Sequence, residues 1–204
     1  MAVRYNVNRG LLQPEGQQEG EDVSASGMID LLRGAVVDWP SGIRIRAEVC
    51  MQIAEAAQQA GWTDKLQVSG VSKFIWFLKP ERWTLFDRFA ARGMGIPAHW
   101  SRRRQFEAFY EALGDGDFNG VVTRIEPLIA GSSLPGLPAA RIIDSLLMAR
   151  GARGSGMHEI EESRAFLGLL PPEFRDALNH LATQLQDEIG NDVLPPMTTK
   201  RKKS

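Results

Sequence analysis

Cysteine is almost missing from this chain: Cys50 is the only one among 204 residues. One thiol excludes an internal disulfide framework and any zinc site built on cysteine. Histidine is nearly as scarce, and His99, His158 and His180 are too scattered for a metal-binding spacing. No metal and no cofactor is therefore expected. No apolar run approaches the roughly 20 residues that cross a bilayer. Met1-Ala2-Val3-Arg4-Tyr5 lacks the apolar core of a secretory signal, so the expectation is a soluble, cytoplasmic protein with no membrane partner. A net charge of −1 gives no overall basic field, which argues against nucleic-acid binding by bulk charge alone. A local basic face can still sit inside a neutral total. Strand-like patterns are wanting too: only Val68, Val36-Val37 and Val121-Val122 are β-like, each in a helical setting. There is no Gly-Lys-Ser/Thr phosphate loop, no Ser-His-Asp arrangement and no solenoid repeat.

What is present is apolar and helical. The apolar share is 43%, and five tryptophans with nine phenylalanines supply ample area for one core. Residues 13–26 are polar and glycine-rich, so 1–26 is expected to be a flexible N-terminal segment. Residues 27–190 form the helical domain and 191–204 a flexible basic tail ending in Lys200-Arg201-Lys202-Lys203. Within the domain, apolar spacing and breakers predict about eight helices. The first is short, around Met28–Leu32. A second is capped by Ser41 and stopped by Gly61. A third runs from Ser69 to Leu78, closed by Pro80, and a fourth from Pro97 to Leu113. After a turn at Gly114-Asp115-Gly116-Asp117, helices follow at Val121–Ile129, Ala139–Ala149, roughly Glu159–Leu169 and Pro172–Ile189. The fold class is all-α.

Polar chemistry concentrates between Val68 and Asp87. Lys73 lies near the start of an apolar helix and Asp87 fourteen positions later, after Pro80-Glu81-Arg82. A helix of this length is about 15 Å long, so the chain must double back at Pro80 to bring the two together. Gly70 and Ser72 near the helix start would leave backbone N–H groups open to a phosphate. An amine, a carboxylate and an anion cradle would then share one small region.

Val68-Ser69-Gly70-Val71-Ser72-Lys73, the apolar helix, Phe77-Leu78-Lys79-Pro80 and Asp87 together resemble the helix-hairpin-helix DNA glycosylases. The likeness is closest to bacterial proteins with an 8-oxoguanine DNA glycosylase fold, and Arg141-Ile142-Ile143-Asp144-Ser145-Leu146-Leu147 is similar to a later helix of that group. It spans roughly residues 65–150. The resemblance implies a hairpin on the DNA backbone, a target nucleotide flipped into a pocket, and cleavage of its N-glycosidic bond. In that scheme Asp87 is the carboxylate that stabilises the oxocarbenium-like sugar, and Lys73 the amine that forms a Schiff base or contacts a phosphate. The hairpin here reads Gly70-Val71-Ser72 where the family has Gly-Val-Gly, and Lys73 comes one position sooner, a rotation of about 100° on a helix.

Each residue also has a plainer reading. Lys73 can be a solvated side chain, and Asp87 the N-terminal residue of a following helix. Phe74, Trp76, Phe77, Trp83, Phe86 and Phe89 read as core before they read as a base-stacking pocket. Asp144, mid-helix beside Arg141 and Ser145, reads as a buried hydrogen-bonded aspartate, with a role in a DNA pocket as the alternative. Arg102-Arg103-Arg104 is the densest basic run in the folded part, and three consecutive arginines cannot all face a core. They are the candidate DNA contacts together with Gly70 and Ser72. His158-Glu159 reads as an exposed acidic helix start. The functional expectation is a DNA glycosylase-like protein acting on a modified or damaged base. The alternative is a catalytically silent descendant that binds DNA or a protein partner, for instance in defence against foreign DNA; the plainest option is a helical interaction module.

Overall fold

A computed structural model describes residues 23–132, 136–151, 165–174, 176, 178 and 179. Seven α-helices are bounded within the described residues: α1 (Val23–Ala35), α2 (Ile43–Gln59), α3 (Val68–Leu78), α4 (Arg88–Gly93), α5 (Arg102–Asp115), α6 (Phe118–Ala130) and α7 (Ala139–Gly151). Further helical residues occur at 165–169 and 172–174, and no strand is present among the described residues. The all-α reading holds. The expected basic tail, His158 and most of the last two expected helices lie outside the described residues.

The core is one continuous cluster. On α2, Ile43, Ala47, Cys50, Met51, Ala54 and Ala57 recur every three or four residues and are buried, which lets α2 lie against both α3 and α5. Around them pack Trp83, Phe86, Phe106, Phe109, Tyr110 and Phe118, all at or below 1% exposure. Each such ring stabilises the fold by roughly 1.5–3 kcal/mol through burial. Gly61 ends α2 with φ of 72°, and the Trp62 N–H returns to the Ala57 carbonyl at 2.9 Å.

Several boundaries differ from those the sequence predicts. α1 takes in residues 23–26, which composition alone assigns to a flexible segment; burying Met28 and Leu32 one turn apart makes the longer helix worthwhile. Ser41 does not cap α2. Its N-cap is Gly42, without a side-chain bond, and the entry is fixed by Arg46, whose guanidinium reaches back to the Pro40 carbonyl. Pro97 does not open α5 either. Ser101 caps that helix by accepting the Arg104 N–H at 3.3 Å. The preceding loop is tied down by buried Gln105, whose amide donates to the carbonyls of Pro97, Ala98 and Trp100. α5 runs on through Asp115, so the expected turn shrinks to Gly116-Asp117, where left-handed Asp117 caps α6.

Helix α4 is short and packs backbone to backbone on α7. A Cβ on Gly93 would land on the Leu147 carbonyl oxygen and lie 3.1 Å from the Gly151 nitrogen. One on Gly151 would strike the Phe89 carbonyl. We expect Gly93→Ala to cost about 1–3 kcal/mol of unfolding free energy by forcing the helices apart. Gly34, on α1, has nothing within 4 Å of the same added atom. Gly34→Ala should instead stabilise by about 0.4–1 kcal/mol. Urea titration of the two variants checks both signs.

Candidate functional site

The return of the chain after α3 places the site. Pro80 ends the helix region, and residues 79–87 run back along it with four anchors. Arg46, only 7% exposed, donates to the Glu81 carbonyl at 2.7 Å and the Arg82 carbonyl at 2.6 Å. The Trp83 indole is wholly buried, stacks on Tyr110 at 4.6 Å, and donates to the Ser72 carbonyl at 2.9 Å. Tyr110 in turn donates its hydroxyl to the Thr84 carbonyl at 2.8 Å. The last anchor is a pair of serines on α3: Ser69 donates to the Phe86 carbonyl at 3.0 Å, and Ser72 Oγ accepts the Phe86 N–H at 3.4 Å. Both backbone groups of Phe86 are therefore held by the first turns of α3, one residue before Asp87.

Those ties bring together what the sequence separates. Lys73 and Asp87 are each half-buried, and both lie close enough to Asp144 on α7 to act on its charge. Asp144 is 2% exposed and paired with Arg141 one turn back. Burial lifts its carboxyl from an ordinary value of 3.8 to about 6; Arg141 opposes the shift, Asp87 adds to it and Lys73 offsets it. The resulting site draws on α3, α4 and α7: an amine, two carboxylates and a guanidinium. Among the described residues no ion pair joins Lys73 to Asp87.

Asp87 is also the N-cap of α4. Its Oδ1 accepts the Phe89 N–H at 2.8 Å, which fixes the carboxylate's direction. Its Oδ2 has no hydrogen-bond or ion-pair partner among the described residues.

The other expected site residues divide. Gly70 lies inside α3, not in a turn, and the first helical bond runs from the Val71 N–H to Gln67 at 3.0 Å. The expected glycine hairpin is thus absent from 68–72. Ser72 is corrected as a ligand contact: it is completely buried, its hydroxyl also donates to the Ser69 carbonyl at 2.9 Å, and no anion could reach it. Arg103 pairs with Glu55 and, at 3.9 Å, with Glu107. Arg102 and Arg104 have no carboxylate partner among the described residues; Arg104 lies 3.7 Å from the Trp100 ring centroid. Of the aromatic group, Trp83 and Phe86 are core, whereas Phe74 and Trp76 pack at its margin. The Cys50 thiol is buried and its pKa pushed well up by desolvation, so it is a packing residue and not a nucleophile.

Sequence reasoning left Asp144 as a structural residue and missed its electrical link to Lys73 and Asp87, which only the α4–α7 contact creates. Because the folded protein holds the Asp144 proton more tightly than the unfolded chain, this group favours the folded state below about pH 4. That contribution is lost as pH rises through about 6. Its size is on the order of 3 kcal/mol. Asp144→Asn should remove this fall in stability between pH 4 and 6, read from denaturation at a series of pH values. A carboxyl titration midpoint for Asp144 below 4.5, followed by NMR, would contradict it.

No family model, curated protein or solved structure matches this chain, so what the site does must be read from its own side chains.

Proposed function

We propose that this protein is a DNA glycosylase-like enzyme that flips out a modified or damaged base and breaks its N-glycosidic bond. The observation that carries the reading is the fastening of Phe86, next to Asp87, onto the first turns of α3, where Lys73 lies, with Asp144 of α7 near enough to feel both charges. Bond cleavage builds positive charge on the sugar, and a carboxylate held rigid beside it lowers the barrier. Asp87 suits that part: one oxygen is locked by the Phe89 N–H and the other has no partner among the described residues. Lys73 is the nucleophile or a phosphate contact. As nucleophile its amine adds to the sugar C1′ while the bond to the base breaks. The bonding electron pair leaves with the base, which gains a proton. The amine gives up two protons in all, one to the departing base and one to O4′ as the C1′–O4′ bond breaks, and the opened sugar is left as an imine. If water adds instead, its proton passes toward Asp87 and the product is an abasic site.

A second reading has its own observation behind it. Asp87 already has a structural task as the cap of α4, which is what a silent, binding-only descendant would keep. Asparagine separates the two tasks, since it caps a helix about as well as aspartate but carries no charge. In the enzyme, Asp87→Asn should stay within a few tenths of a kcal/mol of wild type in stability yet lose about 100-fold or more in base release. Asp87→Ala should lose both the activity and about 1 kcal/mol. Borohydride trapping on DNA with an abasic site or oxidised and deaminated bases tests Lys73. Equal trapping by wild type and Lys73→Ala would remove it as nucleophile, undiminished base release by Asp87→Asn would remove Asp87 from the chemistry, and DNA binding by wild type without any base release would leave the binding-only reading.

A further inference from the structure

We infer that the cleft between α4 and the start of α5 binds the phosphodiester backbone of DNA, with Arg88, Arg92 and Arg102 as its cationic contacts. The inference rests on DNA being the partner but not on any base being released. The cleft has a volume of about 300 Å³, and no acidic side chain lines it. Its three arginines have no carboxylate partner among the described residues. Six arginines elsewhere, Arg33, Arg44, Arg82, Arg103, Arg124 and Arg141, each sit beside an acid, whereas Arg46 bonds backbone carbonyls and Arg104 rests on Trp100.

The cleft is also built, not incidental. One wall is the loop 97–101, which Gln105 holds from below with three hydrogen bonds while only 7% exposed itself. The same side chain accepts from Arg102 at 3.3 Å and so aims that guanidinium. Aromatic faces support the cations: Arg88 lies 4.7 Å from the Phe89 ring centroid, Arg92 5.9 Å from the same ring, and Arg102 5.8 Å from Phe86. A guanidinium resting on a ring keeps its N–H fork available for phosphate oxygens. Arg88 and Arg92 are one helical turn apart, about 6 Å along α4. That spacing, with Arg102 on a second helix, fits a run of phosphates better than one small anion. Arg88 directly follows Asp87, so the cleft and that carboxylate share helix α4.

The geometry sorts the arginines differently from the sequence. Arg103, the centre of the triplet, is neutralised, and the partners of Arg102 come from α4. The test is the salt dependence of binding to undamaged duplex DNA, followed by fluorescence anisotropy. Each phosphate contact contributes about 0.9 to the slope of log affinity against log salt concentration. The triple variant Arg88→Gln, Arg92→Gln, Arg102→Gln should flatten that slope by roughly 2–3 and weaken binding at low salt about tenfold or more. The triple variant Arg33→Gln, Arg44→Gln, Arg124→Gln removes the same charge from ion-paired positions and should leave the slope unchanged. Thermal melts check that both sets still fold; if the cleft set unfolds, the single Arg92→Gln should still lower the slope by about 1.

An unchanged slope in the cleft variants overturns the inference, as does an equal loss in the control set, which would mean bulk attraction. If inorganic phosphate stabilises wild type through these arginines while the DNA slope is unaffected, the cleft takes a free phosphate and the inference also fails. Base release that persists with no effect on the slope sinks the cleft alone. Cleft-dependent binding without base release by any variant sinks the catalytic reading alone, and no DNA binding at low salt sinks both.

Discussion

The indole N–H of Trp83 and the backbone N–H of Phe86 both end on Ser72, the first on its carbonyl and the second on its hydroxyl. Ser72 is therefore the point where the chain, having left α3 at Pro80, is fastened back onto it. A glycine here would keep the carbonyl acceptor but lose the hydroxyl, leaving the buried Phe86 N–H without its partner. Unpaired buried donors cost about 1–3 kcal/mol. The serine is accounted for by this tie, and the position of Asp87 depends on it. Arg46 and the Trp83–Tyr110 stack then hold the rest of the return segment from the α2 and α5 sides.

A second constraint acts from the other direction. The glycines at 93 and 151 let α4 and α7 touch along their backbones, and that contact carries Asp144 toward Asp87. Two carboxylates drawn together in a dry setting resist double ionisation, which adds to the burial cost felt by Asp144. Arg141 and Lys73 relieve part of it. The four charged groups are thus mutually dependent: moving α7 would change the field at Asp87 and Lys73 without altering either residue.

Much of this was legible in residue order alone. The helical class followed from three- and four-residue apolar spacing, α3 ended where Pro80 said it would, and the reversal bringing Asp87 back toward α3 was foreseeable from Pro80-Glu81-Arg82. What failed were inferences needing tertiary partners. Ser41 looked like a cap, but α2 starts after Gly42 with no side-chain cap, and Arg46 ties its entry by donating to the Pro40 carbonyl. Gly70 looked like a turn residue, yet nothing forces it out of a helix whose apolar face begins at Val68. Ser72 looked like an anion contact because backbone N–H groups near a helix start are open to a ligand; here Trp83 and Phe86 cover the residue. The pairing of Arg103 with Glu55, 48 positions away, could not be read from the triplet itself.

That last case bears on how a chain of nearly zero net charge can present a local field at all. Charge is not spread evenly over the fold; it is sorted by pairing. Surface arginines that meet an acid contribute little beyond their own neighbourhood, because the pair's field falls off faster than a single charge and salt screens the remainder. Those without an acid keep their full field, and three of them line one cleft between α5 and α4, the helix that Asp87 caps. A positive cleft set against a negative group suits a polyanion better than a neutral ligand: the phosphates would be drawn to the arginines while Asp87 is left for the sugar, where positive charge would develop. The two proposals therefore make different demands on the same few residues, and charge sorting, not total charge, is what lets a nearly neutral protein meet both.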